Sequence, residues 1–195
     1  MATEKKISRK QQIAKAAMKI IASEGVQSLV MIKIAKLIGL TDAALYKHFN
    51  TKNDMLLFMV EEIENSLINN IEKKIDMQAD ACDKLKSILF VHLSFIEKNI
   101  GIPRVLFSEA IQFQDKRLRD KIAGIITQYM EYIKNIIQQA VDKGCVRKDL
   151  DVEAAAIMYM GIIQATFILW STSDFSFPLT GKVDQLWATF SKCLY

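Results

Sequence analysis

Four residues with polar groups suited to contacting nucleic acid, Tyr46, Lys47, His48 and Lys52, lie within seven positions of one another. A tyrosine hydroxyl and lysine ammonium groups form hydrogen bonds to phosphate oxygens. Residues 42–44 (Asp-Ala-Ala) are small enough to let a backbone approach a duplex closely, and an alanine methyl suits contact with a thymine methyl. Tyr46 alone is compatible with an ordinary amphipathic surface, but its neighbours favour a helix that contacts DNA.

Three short helices are predicted to position these groups. Apolar residues at helical spacing predict helices over 9–23 and 30–38, and Gly39 ends the second. Thr41 is a suitable N-cap for a third helix over 42–48. Three helices with a glycine turn before the third match a helix-turn-helix arrangement, and a generic three-helix bundle is the alternative.

Positive charge is concentrated in the same part of the chain. Residues 1–54 hold ten Lys or Arg against four Asp or Glu, a net charge of +6, whereas the remainder carries −2. Lys33 and Lys36 are predicted on the outward face of the second helix. This asymmetry suggests an anionic partner, either nucleic acid or a membrane surface, although a solvated lysine-rich surface explains the charge equally well.

Apolar spacing predicts six further helices. The first continues from the basic segment without a linker, which indicates a rigid connection. No segment alternates with period two over enough residues to predict a strand. The fold class is therefore predicted as all-α, with these helices over 53–75, 80–99, 103–112, 115–143, 151–172 and 181–194.

Residues 154–170 are apolar nearly all round and reach the lower length limit of a membrane span. Gln164 lies within this segment, the acidic run 149–153 precedes it, and no basic flank orients it. These features favour a soluble helix that meets the core on one face and a second subunit on the other. A membrane-associated helical protein is the alternative.

No motif for catalysis, a cofactor or a metal is present. Cys82, Cys145 and Cys193 are far apart in sequence, which predicts reduced thiols in a cytoplasmic protein. Neither histidine lies near a cysteine in sequence, so a metal site is not expected. His92 falls on the apolar face of the 80–99 helix and is interpreted as a hydrogen-bonded core histidine.

Several features between Arg9 and Leu57 occur in a characteristic order. They are the helix RKQQIAKAAMKIIASEG, the pair Ile34–Ala35, the turn Gly39–Leu40–Thr41, the pairs Leu45–Tyr46 and His48–Phe49, and Lys52 with Asp54 and Leu56. Together they resemble the N-terminal module of TetR-type transcriptional repressors. The resemblance covers about a quarter of the chain, and beyond it only helical architecture and length are similar.

This resemblance implies which residues meet operator DNA. The positions that correspond to DNA contacts in the family are Thr41, Asp42, Ala43, Ala44, Tyr46, His48 and Lys52, and we add Lys33 and Lys47 to the predicted DNA face. The sequence departs from the family at the second helix, where Leu29 and Val30 replace the usual Ser or Thr cap, so the cap comes from Ser28 or is absent. Ile32 and Ala43 also replace a common arginine and a common glycine.

The resemblance further implies a DNA-binding domain at 1–52 and a helical effector-binding and dimerisation domain at 53–195. Aromatic side chains with few charges predict an apolar or aromatic small-molecule effector, although core packing is the alternative for each of them. The predicted pocket residues are Leu67, Phe95, Phe107, Ile111, Tyr129, Tyr132, Met158 and Tyr159.

A homodimer is implied as well, with two recognition helices that read a palindromic operator at a separation of about 34–36 Å. An effector would favour a dimer with another separation, since a ligand shifts an equilibrium only through differential affinity, and helix 53–75 is the predicted lever. The rival is a helical small-molecule-binding protein or enzyme without DNA binding. The predicted interface residues are Ile162, Thr166, Leu169, Val183, Trp187 and Phe190.

Overall fold

The computed structural model describes residues 7–76, 78–106 and 115–195, and over these residues the fold is all-α, as predicted. Strands are absent from this part of the chain. The helices are α1 (Arg9–Glu24), α2 (Met31–Leu37), α3 (Asp42–Tyr46), α4 (Lys52–Lys74), α5 (Ala81–Lys98), α6 (Gly101–Leu106), α7 (Lys116–Asp142), α8 (Val152–Thr172) and α9 (Val183–Ser191).

Most predicted helix ends lie within two residues of the observed ones. Helix α9 begins at Val183 because Thr180–Lys182 form a separate 3-10 turn. The predicted helix 103–112 overlaps α6, and residues 107–114 lie outside the described part of the chain.

The chain forms two compact units. The first contains residues 1–64 and 99–122, and the second contains residues 65–98 and 123–195. The first unit therefore includes not only the three basic helices but also α6 and the start of α7. Its core is built from fully buried side chains on α1, α2, α3 and the loop between α1 and α2, among them Ile13, Ile21, Leu29, Ile34 and Leu45.

Helix α6 packs closely on α1 inside the first unit. A Cβ atom at Gly101 would lie 2.6 Å from the Met18 sulfur and 3.0 Å from the Met18 carbonyl oxygen, so a side chain there would force Met18 to shift. Arg104 donates hydrogen bonds to the carbonyl oxygens of Ala22 at 2.7 Å and Ile21 at 3.4 Å. These contacts fix the C-terminal end of α1.

Polar side chains also join the beginnings of α4 and α7 in this unit. The Thr51 hydroxyl accepts a hydrogen bond from the Asp54 N–H at 3.1 Å, so Thr51 caps the start of α4. Arg117 forms ion pairs of 3.0 Å with both Asp54 and Asp115, and Asp115 also accepts from Asn53 at 3.0 Å. Hydrogen bonding from Arg117 lowers the pKa of Asp115 to about 2.

Helix α5 supplies the central core of the second unit. Leu85, Ile88 and Leu89 are fully buried, and the Tyr159 hydroxyl of α8 donates to the Leu85 carbonyl oxygen at 2.7 Å. The Glu97 carboxylate accepts hydrogen bonds from the N–H groups of Leu179 and Thr180, at 3.1 and 3.4 Å. Helix α5 thus holds both α8 and the turn before α9.

Helix α8 is apolar on a face that the single chain does not cover. Ile157, Met158, Ile168 and Leu169 are all exposed, and Leu169 reaches 64%. By length and composition α8 could cross a membrane, with a mean hydropathy of 1.7 in its most apolar window, of which 33% is buried. One such helix is weak evidence for a membrane protein, because a core or interface helix has the same composition.

Candidate nucleic-acid interface

A tight turn at Gly39 directs the chain from α2 into α3. Gly39 has φ of +66°, a backbone conformation that favours glycine. The Leu40 N–H donates to the Ala35 carbonyl oxygen at 2.9 Å, and the Gly39 N–H donates to the Lys36 carbonyl oxygen at 3.4 Å. This pair of bonds is a Schellman motif, which ends α2 and sets the start of α3.

Helix α3 is anchored by one face and exposed on the other. The Thr41 hydroxyl accepts from the Ala44 N–H at 3.2 Å, which confirms the predicted N-cap. Leu45 is fully buried and Phe49 nearly so, and both lie in the core of the first unit as predicted. Because Leu45 points inward, the exposed residues of this segment are Thr41, Asp42, Ala43, Tyr46 and Lys47, with Ala44 and His48 half-buried.

Tyr46 is the most prominent side chain of the exposed face. It is a large aromatic residue, yet 48% of its surface is accessible. A surface aromatic of this kind, next to an exposed lysine on a capped helix, can present its hydroxyl to a phosphate while small residues near the helix start approach the bases.

Lys52, also predicted to contact DNA, lies at the first position of α4. Its ammonium group donates to the Val26 carbonyl oxygen at 3.2 Å, and partial burial lowers its pKa. An ammonium group carries three N–H bonds, so two remain for other acceptors. The bond to Val26 holds the charge near the loop that follows α1.

Lys33 has an intramolecular partner that the sequence did not reveal. Its ammonium group forms an ion pair of 2.7 Å with Glu24, and both side chains are about half exposed. Exposed pairs contribute only about 0.2–1 kcal/mol, so Lys33 can exchange this carboxylate for a phosphate at small cost. Lys36 and Lys47 are exposed and form no ion pair within the described residues.

The second helix begins without a side-chain cap. Val30 occupies the N-cap position, and the Ser28 hydroxyl donates instead to the Glu24 carbonyl oxygen at 3.2 Å. Of the two alternatives predicted for this cap, absence is the correct one. Val30, Ile32 and Leu37 are exposed, so the outer surface of α2 is more apolar than its two lysines suggest.

Six of the residues predicted to line an effector pocket belong to the second unit and differ in their exposure. Tyr129 and Tyr159 are buried, whereas Leu67, Phe95 and Tyr132 are half-buried. Met158 is exposed on α8. Phe107 and Ile111 lie outside the described residues. His92 has the hydrogen bond that was predicted for it, since its Nδ1 lies 2.9 Å from the Tyr129 hydroxyl oxygen, but the sequence did not identify this partner.

The residues predicted for the dimer interface also differ in exposure. Three of them are buried within one copy of the chain, namely Thr166, Val183 and Phe190. Phe190 packs edge-on against Tyr159, with ring centroids 5.7 Å apart. Ile162 and Trp187 are half-buried, and Leu169 is exposed. No group of three or more His, Cys, Asp or Glu side chains suited to a metal ion occurs among the described residues.

Two family models together match most of the chain. Residues 13–59 match bacterial regulatory proteins of the tetR family, and residues 60–192 match the C-terminal region of YsiA-like protein. Over 192 residues, covering 98% of both chains, the sequence is 31% identical to nucleoid occlusion factor SlmA of Vibrio cholerae serotype O1. SlmA of Vibrio campbellii is also 31% identical, with the same coverage.

Solved structures of regulators are similar over nearly the whole length. The transcriptional regulator FadR from Bacillus subtilis, in complex with stearoyl-CoA, has a TM-score of 0.82 and 26% identity, covering 94% of this chain and 98% of that chain. The fatty acid degradation regulator FadR from Bacillus halodurans has a TM-score of 0.83 and 24% identity, covering 96% of both chains.

Proposed function

Because this chain belongs to the tetR family of bacterial regulatory proteins, we propose that it is a homodimeric repressor that a small-molecule effector releases from a palindromic operator. The protein is a DNA-binding transcriptional regulator. We place its action in the cytoplasm, without a membrane partner and without catalysis. The observation that carries the proposal is the exposed face of α3.

The DNA contact follows from the geometry of that face. The Gly39 turn and the buried Leu45 hold α3 so that residues 41–43, Tyr46 and Lys47 point away from the core. In a major groove, the start of such a helix is nearest the bases and the later residues meet the backbone. We therefore assign base contacts to the first turn of α3, and phosphate contacts to Tyr46, Lys47, His48, Lys52 and Lys33.

A second copy of the chain would cover the exposed apolar face of α8. The exposed Ile157, Ile168 and Leu169 and the half-buried Ile162 line this face, and Gly161 and Ala165 between them leave room for close helix packing. A twofold symmetric dimer presents two copies of α3, which requires an operator of matching twofold symmetry. The predicted interface residues that are buried in one copy support this face without contacting the partner directly; they are Thr166, Val183 and Phe190.

The effector is proposed to be an amphiphile with a long apolar chain, of the acyl-CoA type. Two observations support this class. Tyr129 and Tyr159 are buried and Tyr132 lies near both, so this part of the interior of the second unit is aromatic. The FadR of Bacillus subtilis, 26% identical to this chain, was crystallised with stearoyl-CoA.

Release requires the effector to prefer a dimer that does not fit the operator. Helix α4 is the proposed lever, since residues 52–64 of this helix belong to the first unit and residues 65–74 to the second. Structures of the dimer with and without effector test this. The mechanism is supported if the two copies of α3 are about 34–36 Å apart without effector and at another separation in the effector complex. One unchanged separation contradicts it.

The function itself is tested by recovering bound fragments from a sheared genomic library and adding stearoyl-CoA. We expect a small set of palindromic fragments, from which micromolar stearoyl-CoA displaces the protein, while coenzyme A alone leaves it bound. Binding without displacement by any acyl-CoA would remove the effector from the proposal and leave DNA binding in place. Failure to recover any preferred fragment would contradict the operator.

Nucleoid occlusion is a second candidate function, favoured by the 31% identity to SlmA over 98% of both chains. Both functions require DNA binding, so the properties of α3 do not distinguish between them. The transcript levels of genes beside the occupied sites do distinguish between them. A deletion that leaves those transcripts unchanged favours the second function, and derepression of the adjacent genes favours the first.

A further inference from the structure

We propose that His92 and Tyr129 form the polar end of the effector site and donate a hydrogen bond to the carbonyl oxygen of an acyl thioester. This inference rests on the proposed acyl-CoA effector and adds the group that recognises it. Both residues lie in the second unit, His92 on α5 and Tyr129 on α7.

The two side chains are in direct contact. The His92 Nδ1 atom and the Tyr129 hydroxyl oxygen are 2.9 Å apart, and the rings meet edge to face at 85° with centroids 5.2 Å apart. This contact links two residues that are 37 positions apart in sequence. It fixes the orientation of both polar groups relative to α5 and α7.

Counting protons shows that the pair retains one unused donor. Burial lowers the pKa of His92 to about 4 and raises that of Tyr129, so at neutral pH both groups are uncharged. A neutral imidazole has one N–H and tyrosine one O–H. Their mutual bond uses one hydrogen, so either the His92 Nε2–H or the Tyr129 O–H remains, depending on the tautomer. Within the described residues neither has a second hydrogen-bonding partner.

The remaining donor is buried, so it needs a hydrogen-bond acceptor. Tyr129 is only 5% exposed, and an unsatisfied buried donor costs about 1–3 kcal/mol. His92 combines strong burial with some accessible surface, because it is half-buried by area and yet deep enough for its pKa to fall. Because part of the His92 side chain is accessible, a ligand atom can reach the pair.

The surrounding groups select a neutral acceptor over an anion. Tyr132 and Tyr159 lie near Tyr129, and the Tyr159 hydroxyl is already bonded to the Leu85 carbonyl oxygen. The pair itself carries no charge at neutral pH, so it offers a carboxylate no opposite charge. An uncharged carbonyl with an apolar chain beyond it fits a single neutral donor among aromatic rings.

The test compares two probes that differ only at the carbonyl. Stearoyl-CoA has the thioester oxygen, whereas S-octadecyl-CoA is a thioether with the same chain length and head group. Calorimetric titration of the full-length protein should give about five- to tenfold tighter binding of stearoyl-CoA, the value of one hydrogen bond. The double variant His92→Phe with Tyr129→Phe removes both donors and should reduce this preference to less than twofold. Each single Phe variant leaves one donor and should retain part of the preference.

The possible results separate this inference from the proposed function. Equal binding of the two probes to the unaltered protein overturns the carbonyl contact and leaves the acyl-CoA effector standing. Binding of neither probe overturns both. The comparison of the two probes on the unaltered protein does not require the variants, so it tests the carbonyl contact even where a substitution prevents folding.

Discussion

The Arg104 guanidinium donates a 2.7 Å hydrogen bond to the carbonyl oxygen of Ala22. Ala22 lies in the last turn of α1, where carbonyl oxygens have no partner within the helix, and a positive charge there also opposes the negative end of the helix dipole. Arg104 therefore attaches α6 to the helix that begins the DNA-binding module. This attachment makes α6 part of the first unit although it lies some eighty residues further along the chain.

Arg104→Met is expected to destabilise the protein. Methionine keeps the apolar stem but loses the donors to Ala22 and Ile21, so we expect a loss of about 1–2 kcal/mol in the free energy of unfolding. Urea unfolding followed by circular dichroism measures this. Arg119→Met, at an exposed position of α7, is the matched control. Equal stability of the two variants would show that the contact contributes nothing.

Glu24→Gln is expected to strengthen DNA binding. The substitution frees Lys33 from its 2.7 Å ion pair, so one more ammonium group can displace counterions from phosphate. The slope of log K against log salt concentration should become steeper by up to about 0.9. Glu153→Gln, which makes the same change of charge in the second unit, is the control. If both variants behave alike, the effect is one of net charge and Lys33 has no special part.

The stability of the protein is expected to fall as the pH drops from about 6.5 to about 4 because of His92. The folded-state pKa of His92 is about 4, below the unfolded value of 6.5, so between these values the unfolded state binds more protons. His92 stabilises the fold fully above pH 6.5, and this contribution decreases by on the order of 2–3 kcal/mol as the pH falls to 4. Among the described residues the ring in contact with His92 is that of Tyr129, which carries no charge at these pH values, so no opposite charge offsets the effect of burial.

His92→Gln should flatten the stability profile between pH 5 and 6.5, measured by urea unfolding at a series of pH values. His48→Gln removes the other histidine of the sequence and is the matched control. Identical profiles for His92→Gln and the unaltered protein would mean that His92 is not buried in its neutral form.

Leu169→Glu is expected to convert the dimer to a monomer. Leu169 is the most exposed apolar residue of α8, and a carboxylate there would be buried without a partner on association. Analytical ultracentrifugation at micromolar concentration measures the change. Phe90→Glu alters another exposed apolar residue, on α5, and should leave the dimer intact. Dimerisation of Leu169→Glu would place the interface elsewhere.

Local signals predicted the first unit well. Gly39 and Thr41 act over a few residues, so the turn and the cap of α3 were accessible from the sequence, as was the inward direction of Leu45. The contact between Arg104 and Ala22 could not be predicted from the sequence, because it joins residues 82 positions apart that no short-range pattern relates. The His92 partner was missed for the same reason, although an aromatic-rich helix with one histidine was a visible signal.

Apolar periodicity has a limit that α9 illustrates. Val183 and Phe190 belong to an apolar stripe, and the sequence assigned that stripe to a second subunit. In the structure both are buried within their own chain. Periodicity identifies which face of a helix is covered, but it contains no information on whether the same chain or another one covers it.

The central claim, that α3 and its flanking lysines bind DNA, is tested most directly by fluorescence anisotropy with duplex DNA over a range of salt concentrations. Affinity should fall steeply and linearly on a log–log plot, because phosphate contacts release counterions. The double variant Tyr46→Phe with Lys52→Ala should bind more weakly and reduce the slope by about 0.9, for the one ammonium group lost. Unchanged affinity and unchanged slope in a folded double variant would contradict the placement of the DNA-binding face.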